Sequence, residues 1–373
     1  MSLSVSPPAE AAMQSDRATR SSFLPLGLIF LLLAPAVAQA QDPTTRFGEV
    51  VPRDVREMYD RGLQFLASTQ TATGEWSGGM ESGPGGTGLG LMVFLASGED
   101  PNFGLYSNNI RKALRSIITS QDPSTGFLGQ SMYHHGFGML GLAEAYGTVD
   151  DRTLWTSGEE IAGGRKPTKA QQRTIGQALE LAVRAAITSQ KKNPFGAWRY
   201  SPDSNDADTS VSGSVLVGLL AARNAGIEVP DEVIDKAVSY FTKMTAGSGE
   251  VAYSGGLGGF GESLARSSIA TLIYSVARRK DLKEYKATLG YLRDRIEQAS
   301  SSWPEYARYY QAQALFQGDV AAWEKWNKLL IRQLKQAQLP DGSFRGQLGP
   351  SLSTSMSLLA LALNYRFLPI YER

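Results

Sequence analysis

The chain has 373 residues, 42% hydrophobic and 20% charged, an ordinary globular balance. Lys plus Arg is 37 and Asp plus Glu is 36, so no charge excess points to nucleic acid as a partner. There is no cysteine, which excludes disulfides, thiolate metal sites and a lipid-modified N-terminal Cys.

The first element is a targeting segment. Arg17 and Arg20 precede an apolar core from Leu24 to Val37, and Ala38-Gln39-Ala40 places small residues at a cleavage site. The core is shorter than a spanning helix and holds Pro25 and Pro35. The expectation is a signal peptide over 1–40, cleaved near Ala40, with the protein periplasmic or secreted. A linker over 41–54 follows, then one domain over 55–373.

Within that domain a unit recurs. A helical stretch ends in Gln and is followed by a Gly turn and an aromatic: Gln70, Gly74 and Trp76; Gln121, Gly126 and Phe127; Gln190, Gly196 and Trp198; Gln338, Gly342 and Phe344. Two degenerate copies fall at Ala237 to Tyr253 and Leu289 to Trp303. The Gln spacings are 51, 69 and 148 residues, the last fitting three units of about 49. A polar insertion near 148–172 accounts for the longer second spacing. Kelch blades share such a period but need β-rich runs, which these segments lack.

Each unit holds two helices of different character. The first, as in "NNIRKALRSIITS", carries one apolar stripe and suits an outer layer. The second, as in "DTSVSGSVLVGLLAARNAG", is rich in Gly, Ala and Ser and apolar nearly all round, the mark of a buried helix. Six outer helices around six inner ones give an all-α fold, an α/α toroid, a six-hairpin helical barrel. Closure is the expectation and an open helical solenoid the alternative.

The recurring turn, best seen in "QLPDGSF" from Gln338 to Phe344, resembles the QW-type motif of the squalene cyclase and protein prenyltransferase superfamily. The likeness covers about residues 55 to 368. It implies that the Gln and aromatic of each unit tie the outer helices together. Asp206-Ala207-Asp208-Thr209 in turn resembles the acid motif of squalene–hopene and class II terpene cyclases. That implies Asp208 as the general acid that protonates an alkene, with Asp206 as its hydrogen-bonding neighbour and Thr209 beside it. Such chemistry needs a strong acid in an apolar, water-free cavity. The same residues also read as a helix N-cap, since Asp is favoured there by hydrogen bonding and by the helix dipole. Two features depart from the cyclases. Squalene cyclases are about twice as long and carry two such domains, and Thr209 stands where bacterial cyclases have a second Asp. The zinc site of the prenyltransferases and the thioester of complement-like relatives both need the missing cysteine.

Parallel inner helices bring their N-termini to one rim. That rim is expected to hold His134, His135, Asp206, Asp208, Glu262, Arg266, Tyr306, Arg308, Thr354 and Ser355. Tyr133, His134, His135, Thr209, Tyr306 and Tyr309 are the candidate substrate contacts, and Phe137 and Tyr310 further ring candidates for a cation-stabilising wall. Aromatics on inner helices also read as packing. No metal and no cofactor is expected: adjacent histidines on a helix point about 100° apart and rarely share an ion. The glycine-rich run from Tyr253 to Glu262 lacks the strand and Lys-Ser/Thr of a phosphate loop and reads as a rim loop. The expected partner is an isoprenoid or other apolar small molecule. A non-catalytic toroid binding a lipid, glycan or protein at the rim is the alternative, with peripheral membrane contact open. A polysaccharide-active toroid would need opposed carboxylates, for which Asp208 and Glu262 are the one pairing.

Overall fold

A computed structural model describes residues 51–76, 82–155, 166–255, 261, 263–300 and 302–371. The expected signal peptide and its cleavage point, most of the linker, Glu262, the middle of the glycine-rich run and the centre of the polar insertion lie outside the described residues.

Among the described residues twelve α-helices run in six pairs. They are α1 (Arg53–Thr69) with α2 (Pro84–Leu95), α3 (Ser107–Thr119) with α4 (Met132–Ala145), and α5 (Ile175–Lys192) with α6 (Thr209–Asn224). Then come α7 (Asp231–Met244) with α8 (Leu264–Val276), α9 (Lys283–Arg293) with α10 (Pro304–Gly318), and α11 (Val320–Ala337) with α12 (Pro350–Ala362). Helix starts are signalled locally. Thr174 and Gln177 form a reciprocal capping box at α5, and Asp319 caps α11 through the Ala322 N–H. Proline opens α2, α10 and α12, where a missing N–H costs nothing.

The odd-numbered helices are amphipathic. In α3 the buried stripe is Ile110, Ala113, Leu114, Ile117 and Ile118, at helical spacing. The even-numbered helices are buried all round. In α6 every residue from Thr209 to Ala222 is buried except Ser210. Small residues let these helices approach closely: a Cβ on Gly136 of α4 would stand 2.6 Å from the Ser214 carbonyl carbon of α6.

The inner helices close into a ring. α2 packs on α4, α4 on α6, α6 on α8, α8 on α10, α10 on α12, and α12 returns to α2. The outer ring closes too, since α11 meets α1. The open solenoid is therefore excluded.

One side-chain amide joins neighbouring units. Gln70 Nε2 donates to the Gly74 carbonyl of its own turn at 2.9 Å and to the Asn109 carbonyl of α3 at 3.0 Å. Gln121 does the same for Gly126 and Ala178 of α5, and Gln190 for Gly196 and Val233 of α7. Gln338 completes the circle, donating to Gly342 at 2.9 Å and to Met58 of α1 at 2.8 Å. The turn must bring the backbone against the next helix. Gly342 has φ of 89°, and a Cβ there would meet the Arg61 carbonyl oxygen at 2.2 Å. In the fourth unit Thr245 replaces the Gln and bonds Phe241 O and Tyr274 Oη instead.

Replacing Gln338 by Ala removes both bonds at the ring's seam. We expect a loss of about 1–3 kcal/mol, read as a lower urea midpoint, whereas Gln336→Ala, exposed on the same helix, leaves the midpoint unchanged. Equal midpoints for the two variants would mean that the amide does not hold the seam.

Candidate functional site

A cavity of about 450 Å³ opens at the N-terminal ends of the inner helices. α2 gives it Gly85, Gly86 and Leu89, and α4 gives Tyr133, His134 and Phe137. Ser210 comes from α6, Tyr306 from α10, and Leu352 and Met356 from α12. Tyr200, Tyr253 and Trp303 complete the rim from the loops. Among the described residues no Asp, Glu, Lys or Arg lines it.

Its floor is aromatic. The Tyr133 hydroxyl meets the Tyr306 hydroxyl at 3.3 Å, joining α4 to α10 across the ring. One turn deeper the Phe137 and Tyr309 rings meet edge-on at 6.3 Å, and Tyr310 packs against both Tyr306 and Tyr309. These rings fill the bore. Tyr309 is thus part of the packed layer beneath the cavity and not a lining contact, and Tyr310 likewise.

The two histidines part company. His134 lines the cavity, with Nδ1 accepting from the Gly85 N–H at 3.3 Å. His135 is fully buried and turned outward. Its Nδ1 accepts from the Leu128 N–H at 3.0 Å and its Nε2 faces the Ala182 carbonyl of α5 at 2.9 Å. Burial lowers its pKa to about 4, so the ring is neutral and donates to that carbonyl. It pins the turn before α4 as hydroxyls do elsewhere: Ser212 bonds the Trp198 backbone and Thr354 accepts from the Phe344 N–H. His135 is therefore a structural tie, not a substrate contact, and Thr354, with Ser355, is buried in the same packing. Thr209 is likewise taken up, donating from Oγ1 to the Ala252 carbonyl at 2.9 Å and from its N–H to Tyr253.

Asp208 caps α6, Oδ1 accepting from the Val211 N–H at 2.8 Å. Its side chain has no exposed surface, and Oδ2 has no hydrogen-bond partner. Burial pushes its pKa up to about 6, against the pull of the Val211 bond and the Arg199 charge. Asp208 does not itself line the cavity, whereas Ser210 and Tyr133 do. The expected Asp206–Asp208 hydrogen bond is replaced by a bridge. Arg199 binds Asp206 Oδ2 at 2.9 Å and places Nε 3.7 Å from Asp208 Oδ2. Asp206 is half exposed and faces, with Arg199, Tyr240 and Lys243, a separate recess of about 250 Å³. Arg266 binds the Val251 carbonyl, and Arg308 does not line the cavity.

Sequence reading missed Arg199, Tyr200 and Tyr253. Arg199 lies over both tyrosine rings, at 5.8 and 5.7 Å, and their hydroxyls meet at 3.1 Å. A signal was present: Tyr200 follows the unit aromatic Trp198 by two positions, on the segment that leads to the rim.

No protein-family model matches the chain, and no curated protein matches it. Solved structures do. A variant of the type II terpene cyclase MstE from Scytonema, in complex with the substrate geranylgeranyl dihydroxybenzoate, is 13% identical at a TM-score of 0.55, covering 84% of this chain and 98% of that one. MstE without ligand is 14% identical at 0.53, covering 85% and 100%. A protein from Actinoplanes is 12% identical at 0.53, covering 83% and 99%. The likeness is one of fold: the chain has the squalene-cyclase-like all-helical toroid of the type II terpene cyclases. The matched cyclase chains are spanned almost whole by one such toroid, so a second domain is not needed for the match.

The Asp208 carboxyl makes a pH prediction. Its folded pKa lies above the ordinary 3.8, so between about 4 and 6 the folded chain keeps a proton that the unfolded chain releases. Stability is lost as pH rises through that window, on the order of 3 kcal/mol by pH 7. Asn caps a helix as well as Asp and carries no charge. Asp208→Asn should therefore melt several degrees above the wild type at pH 7 and with it at pH 4. A variant that melts lower at pH 7 would show the carboxylate to be stabilising.

Proposed function

We propose that the chain binds an isoprenoid or similarly apolar small molecule in the central cavity. The observation that carries this is the cavity wall, built from tyrosine, phenylalanine, leucine and methionine with no Asp, Glu, Lys or Arg among its described residues. Its volume falls in the range of small-molecule sites. At roughly 30 Å³ per non-hydrogen atom, the share of a water in its liquid, it holds about fifteen such atoms. The fold supports the reading, since MstE is a type II terpene cyclase solved with a geranylgeranyl compound. The signal peptide expected over residues 1–40 would carry this binding outside the cytoplasm, with the processed protein beginning at Gln41.

Acid-initiated cyclisation is the second reading, and the fully buried Oδ2 of Asp208, which has no hydrogen-bond partner, favours it. The acid would give its proton to a terminal alkene carbon, forming a C–H bond and leaving a carboxylate. The cation so formed would be attacked by a second alkene and finally lose a proton or capture water. The rings of Tyr133, Phe137 and Tyr306 would face that charge. Proton delivery needs a local rearrangement, because the carboxyl does not line the cavity.

Native mass spectrometry after exposure to a prenyl lipid mixture tests the first reading. The wild type should retain a prenyl compound and Leu352→Trp, which fills the cavity, should not. An empty wild type removes the binding proposal. Gas chromatography of the same incubations tests the second: a cyclised product from the wild type, absent with Asp208→Asn although that variant still binds, supports the acid. Binding without any conversion by the wild type leaves the non-catalytic alternative. N-terminal sequencing of protein from the cell envelope or medium should read from Gln41; a chain starting at Met1 there would end the cleavage proposal.

A further inference from the structure

We infer that the cavity selects a ligand whose polar end is an uncharged hydrogen-bond acceptor, such as a prenyl alcohol or carbonyl, and that the Nε2–H of His134 takes it. The inference rests on the isoprenoid-binding reading and narrows it.

His134 stands near the start of α4, where its backbone N–H donates to Ser131 Oγ at 3.4 Å. Its Nδ1 is occupied as an acceptor by the Gly85 N–H of α2. A neutral ring with that lone pair in use carries its proton on Nε2. Burial lowers the pKa of this histidine below its ordinary 6.5, so the neutral ring prevails at pH 7. Nε2 has no hydrogen-bond partner among the described residues, and the ring lines the cavity. The site therefore offers a directed donor at a fixed place on a wall whose other polar groups are mainly the hydroxyls of Ser131, Ser210 and four tyrosines, the tyrosines bonded in the pairs Tyr133–Tyr306 and Tyr200–Tyr253.

Three ligand ends compete for that donor. A hydrocarbon leaves it unpaired and forgoes the bond. A diphosphate brings several charges into an apolar cavity whose described wall carries no Lys or Arg to meet them, and pays the cost of lost hydration. A hydroxyl or carbonyl oxygen accepts the bond and adds no charge.

Isothermal titration of the wild type with farnesol, farnesene and farnesyl diphosphate compares the three ends at one chain length. Farnesol should bind roughly tenfold more tightly than farnesene, the worth of one hydrogen bond, and the diphosphate most weakly. His134→Phe, which keeps an aromatic ring, should erase the preference for farnesol without changing the Kd for farnesene. Farnesol and farnesene binding alike to the wild type, a diphosphate that binds tightest, or equal weakening of both neutral ligands by His134→Phe would overturn the role of His134 while leaving isoprenoid binding in place. Absence of binding by all three would overturn the isoprenoid reading itself. Should His134→Phe fail to fold, His134→Leu carries the variant arm, and a wild type that binds farnesol and farnesene alike still overturns the role of His134.

Discussion

Each unit-ending Gln has one amide nitrogen with two protons and two carbonyls to meet. One proton goes to the Gly of its own turn and the other to an early turn of the next outer helix. The bond inside the turn fixes the turn; the bond across fixes the neighbour. Because both leave the same nitrogen, the angle between successive units is set by amide geometry. Repeated at Gln70, Gln121, Gln190 and Gln338, that angle carries the outer helices round until Gln338 reaches Met58. Everything inside follows. Inner helices linked to a closed outer ring run side by side, and their N-termini collect at one rim around a cavity.

The inner ring has to satisfy polar groups where no water reaches. Most are served by side chains at the same position of successive helices: His135, Ser212 and Thr354 each tie the backbone before the helix. Against that pattern Asp208 stands out. An Asn would cap α6 as well, so capping alone does not call for a carboxyl. The carboxyl present leaves Oδ2 buried without a hydrogen bond, 3.7 Å from Arg199, and its pKa raised to about 6. A residue that costs stability where a neutral one would serve marks a place at which something other than folding is at stake.

The fold was legible because its signals are local. Gln, Gly and the aromatic lie within a few residues of one another, and the two kinds of helix differ in composition along their whole length. The site was legible only in part. His134 and His135 are adjacent, and the turn of a helix sends one into the cavity and the other to Ala182 of α5. Nothing in the pair itself says which is which. Tyr306 and Tyr309 share a helix face, so both point to the bore; depth alone separates a lining ring from a packed one. Asp206 and Asp208 looked like a pair because they are close in sequence. The guanidinium between them comes from Arg199, on the far side of a loop.

The units are not equal, and the inequality falls on the cavity. The fifth unit carries no amide tie of the Gln70 kind; an ion pair between Arg293 and Asp319 links α9 to α11 instead. That unit supplies Trp303 and Tyr306 to the cavity. Trp303 holds a left-handed backbone, with φ of 55°, at a cost of about 1–2 kcal/mol for a side chain of its size. It is also 42% exposed, so burial does not offset that cost fully. At the start of α6 the buried Oδ2 of Asp208 lacks a hydrogen-bond partner, as do Tyr310 Oη and Gln311 Nε2 of α10. Tyr133 of α4 reaches across to the fifth unit: its hydroxyl touches that of Tyr306, and both residues line the cavity.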